Sequence, residues 1–163
     1  MKNWLQHTLY IFSENPVSIF AVLLFLFYVS MALVGHWLVP YDPYLTNTNI
    51  ALQPPSVDHW VGTDHLGRDV WSRVVVATRI DLGIAFSAVA LSAIIGCSLG
   101  SIAGYFGGWT DQIIGRFTDI VMAFPLFVLA MGLVAAMGNT VENIIYATAL
   151  INIPFYIRVS RAE

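Results

Sequence analysis

Two histidines and two aspartates lie close together in the most polar part of the chain. His59, Asp64, His65 and Asp69 fall within one short segment that is also rich in turn residues. Imidazole and carboxylate groups are ligands that divalent metals accept, so this cluster could in principle form a metal site. The spacing is irregular, and the same side chains also suit helix capping and salt bridges. We therefore predict no metal site and interpret the cluster as structural.

The signatures of common enzymatic chemistry are absent from the sequence. It contains no G-x-x-x-x-G-K-[ST] phosphate loop, no H-E-x-x-H, no G-x-S-x-G and no Cys/His cluster with zinc spacing. We therefore predict that this chain has no catalytic residue, binds no cofactor and hydrolyses no ATP itself. Cys97 is the single cysteine, which excludes an intrachain disulfide. A membrane enzyme that uses the Asp/His segment is kept as an alternative.

The composition indicates a membrane protein. Hydrophobic residues make up 58% of the 163 residues, charged residues only 10%, and the mean hydropathy is +0.73. Soluble domains carry about 25% charged residues and could not bury this much apolar surface. The net charge of -3 gives no basis for a nucleic-acid partner. We expect an all-α membrane protein, a polytopic bundle of transmembrane helices.

Four uncharged runs are candidate transmembrane helices. A helix rises about 1.5 Å per residue, so about 20 residues cross a hydrocarbon core of about 30 Å. The last run is short and contains Asn152 and Pro154, so it would have to cross with a tilt or a local irregularity. The predicted spans are residues 17–39, 82–105, 120–138 and 144–157.

The segments between these runs are predicted to lie at or outside the membrane surfaces. In residues 68–79 the polar positions share one arc at about 100° per residue, which predicts an amphipathic helix at the interface. The basic residues divide almost equally between the two sides, so charge bias does not determine the orientation. The predicted connections are an N-terminal segment (1–16), a long loop (40–81), a shorter loop (106–119), a turn (139–143) and a C-terminal segment (158–163).

A ridge of small residues runs along the second predicted span. Ala88, Ser92, Gly96, Gly100 and Gly104 recur at every fourth position and include two overlapping G-x-x-x-G patterns. Small side chains allow another helix to approach closely, which is a main source of helix association in lipid. We therefore predict a helix-packing surface along this ridge.

The polar segment also carries a long motif. Residues 62–73 read Gly-Thr-Asp-His-Leu-Gly-Arg-Asp-Val-Trp-Ser-Arg. This stretch closely resembles the G-T-D-x-x-G-R-D-x-x-S-R signature of the second permease subunit of dipeptide, oligopeptide and nickel ABC importers. The matching positions are Gly62, Thr63, Asp64, Gly67, Arg68, Asp69, Ser72 and Arg73. Further landmarks lie on both sides of this motif, in the order expected for the family: Tyr41-Asp42-Pro43 before it, and Ala77-Thr78-Arg79, Gly107-Gly108-Trp109, Asp111, Arg116, Asp119, Phe124-Pro125 and residues 158–163 after it.

The resemblance implies a function and a set of partners. It implies a permease subunit in the cytoplasmic membrane of a prokaryote that moves peptides or nickel complexes by alternating access. The implied partners are a second, homologous permease subunit, two ATPase subunits that use ATP, and an extracytoplasmic substrate-binding protein. It also implies a cytoplasmic N-terminus and an external first loop. Asp111, Arg116 and Asp119 would lie in a cytoplasmic loop, and Arg158, Arg161 and Glu163 would begin the ATPase-coupling region.

The sequence departs from the family in its extent. Family members have about six spans and a cytoplasmic E-A-A…G loop that contacts the ATPase, whereas this chain stops at Glu163, where that loop should begin. We therefore expect either a fragment of the permease or a product that does not couple to the ATPase in the usual way. A stand-alone small membrane scaffold or channel is the remaining alternative. The substrate is left open between dipeptides, oligopeptides, nickel and other small solutes.

Overall fold

A computed structural model describes residues 15–162 of the chain. All the secondary-structure elements in this range are helices. The five α-helices are α1 (Pro16–Leu38), α2 (Val70–Phe106), α3 (Gly108–Ala123), α4 (Leu126–Met137) and α5 (Val141–Arg161). A short 3-10 helix, Thr48–Ile50, lies in the loop between α1 and α2. The predicted all-α class is confirmed. Most of the predicted N-terminal segment (1–16) lies outside the described residues.

The chain divides into two compact units, and the boundary between them falls within α2, after Leu82. The first unit contains α1, the long loop and the start of α2. The second contains the rest of α2 with α3, α4 and α5. Each unit is described below by itself.

In the first unit, α1 coincides with the first predicted span to within one residue at each end. The side chain of Asn15 accepts a hydrogen bond from the amide of Val17, and Pro16 occupies the first helical turn. Gly35 of α1 lies against Val75 of α2: a Cβ added at Gly35 would be 2.5 Å from the Val75 Cγ1. The two helices therefore approach closely at this glycine.

The predicted separation between an interfacial helix (68–79) and a second span (82–105) is wrong. The structure has one continuous 37-residue helix, Val70–Phe106. The charged residues Arg79 and Asp81 change the polarity of the surface, but they do not interrupt the backbone hydrogen bonds of a helix. Proline, which would do so, is absent from this segment.

The predicted loop at 106–119 is also wrong, because helix α3 occupies most of it. The break lies at Gly107 and Gly108, which have φ values of +59° and +54°. Glycine adopts this left-handed region without a steric penalty, and no proline follows until Pro125. The polar residues of this segment therefore lie on a helix.

The predicted third span (120–138) is not one continuous helix. Helix α3 ends at Ala123 and α4 begins at Leu126, with a bend of 94° between them. Phe124 is extended, as expected for a residue that precedes a proline. The predicted turn at 139–143 is shorter than expected, since α5 already begins at Val141 and is capped by the side chain of Thr140.

Two described helices, α1 and α2, are long and apolar enough to cross a membrane. The number of candidate spans rises to three if α3 and α4 together form one broken span. The predicted number of four is therefore too high by this measure. The fourth predicted span (144–157) corresponds to α5, which is longer at both ends and continues through Pro154.

Helix α5 is the best-buried helix of the second unit. It packs against α3 and α4 and buries an apolar set that extends over several turns. Asn152 on this helix is half-buried, and its side-chain amide donates to the Thr148 carbonyl at 2.7 Å, so the polar group has a partner within the helix. The buried residues are Ala147, Ala149, Ile151, Ile153, Pro154 and Ile157.

Candidate functional site

Asp64 is the hydrogen-bonding centre of the signature loop, which we define as residues 62–73. Its Oδ1 accepts the amides of Leu66 and Arg68 at 2.8 and 3.0 Å. Its Oδ2 accepts Nε of Arg68 at 2.8 Å and Nη1 of Arg73 at 3.0 Å. Burial raises the pKa of Asp64, but the hydrogen bonds from Arg68 and Leu66 and the Arg68 charge outweigh it and hold the pKa well below its ordinary value.

Asp69 ties the same loop to the first turn of α2. Its Oδ2 accepts the amide and the hydroxyl of Ser72 at 2.8 and 2.7 Å, which is the geometry of an N-cap. Its Oδ1 lies 2.9 Å from Nδ1 of His59. All three side chains are buried. Burial raises the pKa of Asp69, yet the hydrogen bonds from Ser72 and His59 lower it overall.

Gly62 and Gly67 permit the close backbone packing of the loop. Both have positive φ, +80° and +70°. A Cβ at Gly62 would overlap the Gln53 carbonyl oxygen, and a Cβ at Gly67 would overlap the carbonyl oxygen of Asn47. Any other residue would therefore meet both an unfavourable backbone conformation and a steric clash.

Backbone and hydroxyl hydrogen bonds connect the signature loop to the chain that precedes it. Thr63 donates its amide to the Gln53 carbonyl at 3.1 Å and accepts the Gln53 amide on Oγ1 at 2.9 Å. The Thr63 hydroxyl also donates to the carbonyl of Ile50. The Val70 amide, at the start of α2, donates to the Gly62 carbonyl at 3.1 Å. The result is a rigid structure that joins residues 47–53 to the start of α2.

The carboxylates of this arrangement are engaged in hydrogen bonds within the chain. Asp64 accepts from donors of the loop itself, Asp69 accepts from Ser72 and lies against His59, and the fourth member of the Asp/His cluster, His65, is exposed and makes none of these contacts. Among the described residues, no three His, Cys, Asp or Glu side chains are grouped as metal ligands. The loop is therefore a brace for the start of α2.

In the second unit, the small-residue ridge of α2 lies against α5 over most of its length. A Cβ at Gly96 would be 2.5 Å from the Tyr156 Cβ, and a Cβ at Gly100 would be 2.6 Å from the Ile157 carbonyl oxygen. Ser92 donates to the Ala149 carbonyl at 3.2 Å. Ala88 is buried, whereas Gly104 is exposed and its Cβ would lie 3.8 Å from the carbonyl oxygen of Arg161.

The last turn of α5 makes two ion pairs with α3. Arg158 Nη2 lies 3.2 Å from Oδ1 of Asp119, and Arg161 Nη2 lies 2.6 Å from Oδ2 of Asp111. Arg116 is exposed and belongs to neither pair. Glu163 lies outside the described residues.

Sequence reasoning missed two polar residues of these sites, Ser101 and Ser160. It selected His59 and Asp69 but did not pair them. The hydroxyls of Ser101 and Ser160 lie 3.0 Å apart, and Ser160 also donates to the Cys97 carbonyl at 3.0 Å. A serine in a helix does not by itself indicate a contact with another helix. The sequence feature that could have pointed to Ser101 is its position one residue after Gly100 of the ridge.

Two family models match the chain at its two ends. Residues 96–163 match the binding-protein-dependent transport system inner membrane component, and residues 3–55 match the N-terminal transmembrane domain of oligopeptide transport permease C. The two matches together cover most of the chain in the expected order. The chain belongs to this family of ABC importer permeases.

Curated members of the family are similar along most of the chain. The dipeptide transport system permease of Alkalihalophilus pseudofirmus is 37% identical over 150 residues, which is 92% of this chain and 49% of the relative. The glutathione transport system permease of Pectobacterium atrosepticum is 38% identical over 154 residues, covering 93% and 51%. The nickel transport system permease of Escherichia coli strain K12 is 39% identical over 132 residues, covering 81% and 48%. The chain thus spans about half the length of the curated relatives it matches.

Proposed function

We propose that this chain forms part of the translocation pathway of an ABC importer that carries peptides or nickel complexes across the cytoplasmic membrane of a prokaryote. The observation that carries the proposal is the ordered similarity along the chain to permeases of dipeptide, glutathione and nickel transport systems. The candidate membrane-spanning helices α1 and α2 support it, because a pathway across lipid requires such helices.

The proposed complex has four kinds of component. A second, homologous permease subunit completes the pathway, two ATPase subunits bind and hydrolyse ATP on the cytoplasmic face, and an extracytoplasmic binding protein delivers the substrate. ATP binding closes the ATPase pair, and the permease helices then open outward to receive the substrate. In this mechanism the present chain contributes packing and gating, and it binds no cofactor.

The contacts of the described residues support a role of this chain in packing and gating. The brace around Asp64 and Asp69 holds the external loop and the start of α2 in one conformation. The close contacts of Gly96 and Gly100 allow α2 and α5 to move as one body. Helices that are packed this tightly transmit a displacement instead of absorbing it.

Uptake in cells tests the proposal. The full-length permease would be produced with its four partner subunits in a strain that lacks its own peptide, glutathione and nickel importers. Uptake of radiolabelled dialanine, glutathione and Ni²⁺ would then be measured. We expect uptake of at least one probe, and we expect it to depend on the binding protein and on ATP hydrolysis.

The control is the same set of subunits with hydrolysis-deficient ATPases, which should abolish uptake. Equal uptake with and without active ATPases would contradict the importer and favour a channel. Absence of uptake of all three probes by a fully assembled complex would contradict the proposed substrate classes.

A further inference from the structure

The last turn of α5 is held on two sides by polar contacts. Towards α2, Ser160 lies 3.0 Å from both the Ser101 hydroxyl and the Cys97 carbonyl oxygen. Towards α3, Arg161 forms a 2.6 Å ion pair with Asp111. The three polar residues of this turn, Arg158, Ser160 and Arg161, thus all have partners on neighbouring helices.

The two ion pairs of this turn differ in strength. Arg158 and Asp119 are 54% and 69% exposed and 3.2 Å apart, and exposed pairs of this kind contribute little. Arg161 is 47% exposed, but Asp111 is only 26% exposed, and the distance of 2.6 Å between them is that of a short charge-assisted hydrogen bond. The pair of Asp111 and Arg161 is therefore the one that can fix the orientation of the turn.

Three features of α3 favour this pair. Asp111 lies in the first turn of α3 and Arg161 in the last turn of α5, so each charge is stabilised by its own helix dipole. A Cβ at Gly115 would be 3.7 Å from Nη1 of Arg161, so the missing side chain leaves room for the guanidinium. The contact of Arg161 with Oδ2 is the side-chain hydrogen bond that Asp111 makes among the described residues, since its buried Oδ1 has no partner there.

We propose that the ion pair of Asp111 and Arg161 is a positioning contact that sets the direction in which the chain leaves α5, and thereby presents the following segment to the ATPase. This inference rests on the proposed function, since it assumes an ATPase partner. The pair acts through the orientation of α5, because Asp111 and Arg161 are already engaged with each other. A rotation of this turn would move the following residues away from a partner bound at one fixed place.

A binding measurement on the whole complex tests the inference. The full-length permease pair would be reconstituted in nanodiscs, and purified ATPase subunits would be titrated onto it to obtain their Kd. We expect Asp111→Asn to raise this Kd roughly fivefold or more, the lower end of the coupling typical of linked sites. The melting temperature of the permease and its association with the second permease subunit should stay at the wild-type values.

Matched variants separate the effect of this pair from a general loss of charge. Asp119→Asn removes the exposed pair between the same two helices, and it should change the Kd by less than about twofold. The double variant Asp111→Arg with Arg161→Asp reverses the pair, and it should recover part of the affinity that either single change removes, because the attraction returns but both charges then oppose the helix dipoles. Gly115→Leu displaces the guanidinium without a change of charge and should weaken ATPase binding as Asp111→Asn does.

The outcomes distinguish the inference from the proposal on which it rests. An unchanged Kd in Asp111→Asn would overturn the inference, as would a fall in melting temperature and in permease association that matches the loss of ATPase affinity. If the wild-type permease pair bound no ATPase subunits at all, the proposed function itself would fail.

Discussion

At the scale of single residues, two aspartates of the signature loop do different things with the same chemical group. Asp64 joins two arginines and two amides into one cluster, whereas Asp69 caps α2 and binds a buried histidine. Each carboxylate accepts these hydrogen bonds best in its ionised form. The stability of the loop therefore depends on the charge of both residues.

Loop stability should fall in acid. Both pKa values are lowered in the folded chain from the ordinary value of 3.8, so the stabilisation is complete above that value. It is lost as the pH falls below 3.8 towards the folded pKa values. Hydrogen exchange at the amides of Leu66, Arg68 and Ser72, corrected for intrinsic rates, should show constant protection between about pH 6 and 5 and a loss below about pH 4.

The variant Asp64→Asn serves as the control for this experiment. It lacks the charge at every pH, so the Leu66 and Arg68 amides should exchange faster than in the wild type even at neutral pH, because hydrogen bonds to a charged acceptor are stronger than those to a neutral one. If the amides of the wild-type loop stayed fully protected down to about pH 2, the ionised carboxylates would not stabilise the loop and the prediction would be wrong.

At the scale of elements, the α2–α5 contact depends on the absence of side chains. The nearest neighbours of Gly100 are backbone atoms of α5, which cannot rotate away as a flexible side chain can. Gly83 lies on the same helix and has nothing within 4 Å of an added Cβ. A side chain added at Gly100 would therefore meet α5, whereas one added at Gly83 would meet no other residue.

Gly100→Ala should destabilise the protein, and Gly83→Ala should not. The added methyl group at Gly100 would lie 2.6 Å from the Ile157 carbonyl oxygen, and overpacking of this kind costs about 1 to 3 kcal/mol. At Gly83 the higher helix propensity of alanine should instead stabilise by about 0.5 to 1 kcal/mol. Thermal unfolding in detergent would compare the two variants, and equal melting temperatures would exclude a close α2–α5 interface. Gly100→Leu should impair assembly more strongly than Gly100→Ala.

At the scale of the whole molecule, a large apolar surface remains exposed on the described chain. In α1, the large side chains that are more than half exposed include Phe20, Leu23, Phe25 and Leu26. In water, such an exposed apolar surface on a helix of 23 residues would be unfavourable, whereas in a bilayer the lipid chains would cover it. The exposure is therefore the expected state of a helix that faces a bilayer.

The full-length protein should stay in the membrane fraction after an alkaline carbonate wash. Peripheral proteins are released by this treatment because their attachment is mainly electrostatic, whereas helices buried in lipid are retained. A soluble permease monomer in the absence of detergent would contradict both the membrane assignment and the proposed function.

The sequence by itself determined the class of the protein and the place of its first membrane-length helix, α1. Hydropathy and helix length are local properties, so α1 was predicted to within one residue. The signature and its landmarks indicated the family because they can be read directly along the chain. The ridge of small residues was also visible, although the helix it contacts was not.

The tertiary structure decided where helices continue and which polar residues meet. A change from charged to apolar residues at 79–82 suggested a boundary, yet a change of polarity does not interrupt the backbone hydrogen bonds of a helix, and no proline does so here, so α2 continues. The pairing of Asp111 with Arg161, 50 residues apart, depends on the packing of α3 against α5. Such contacts depend on distances in space, and spacing along the chain does not encode them.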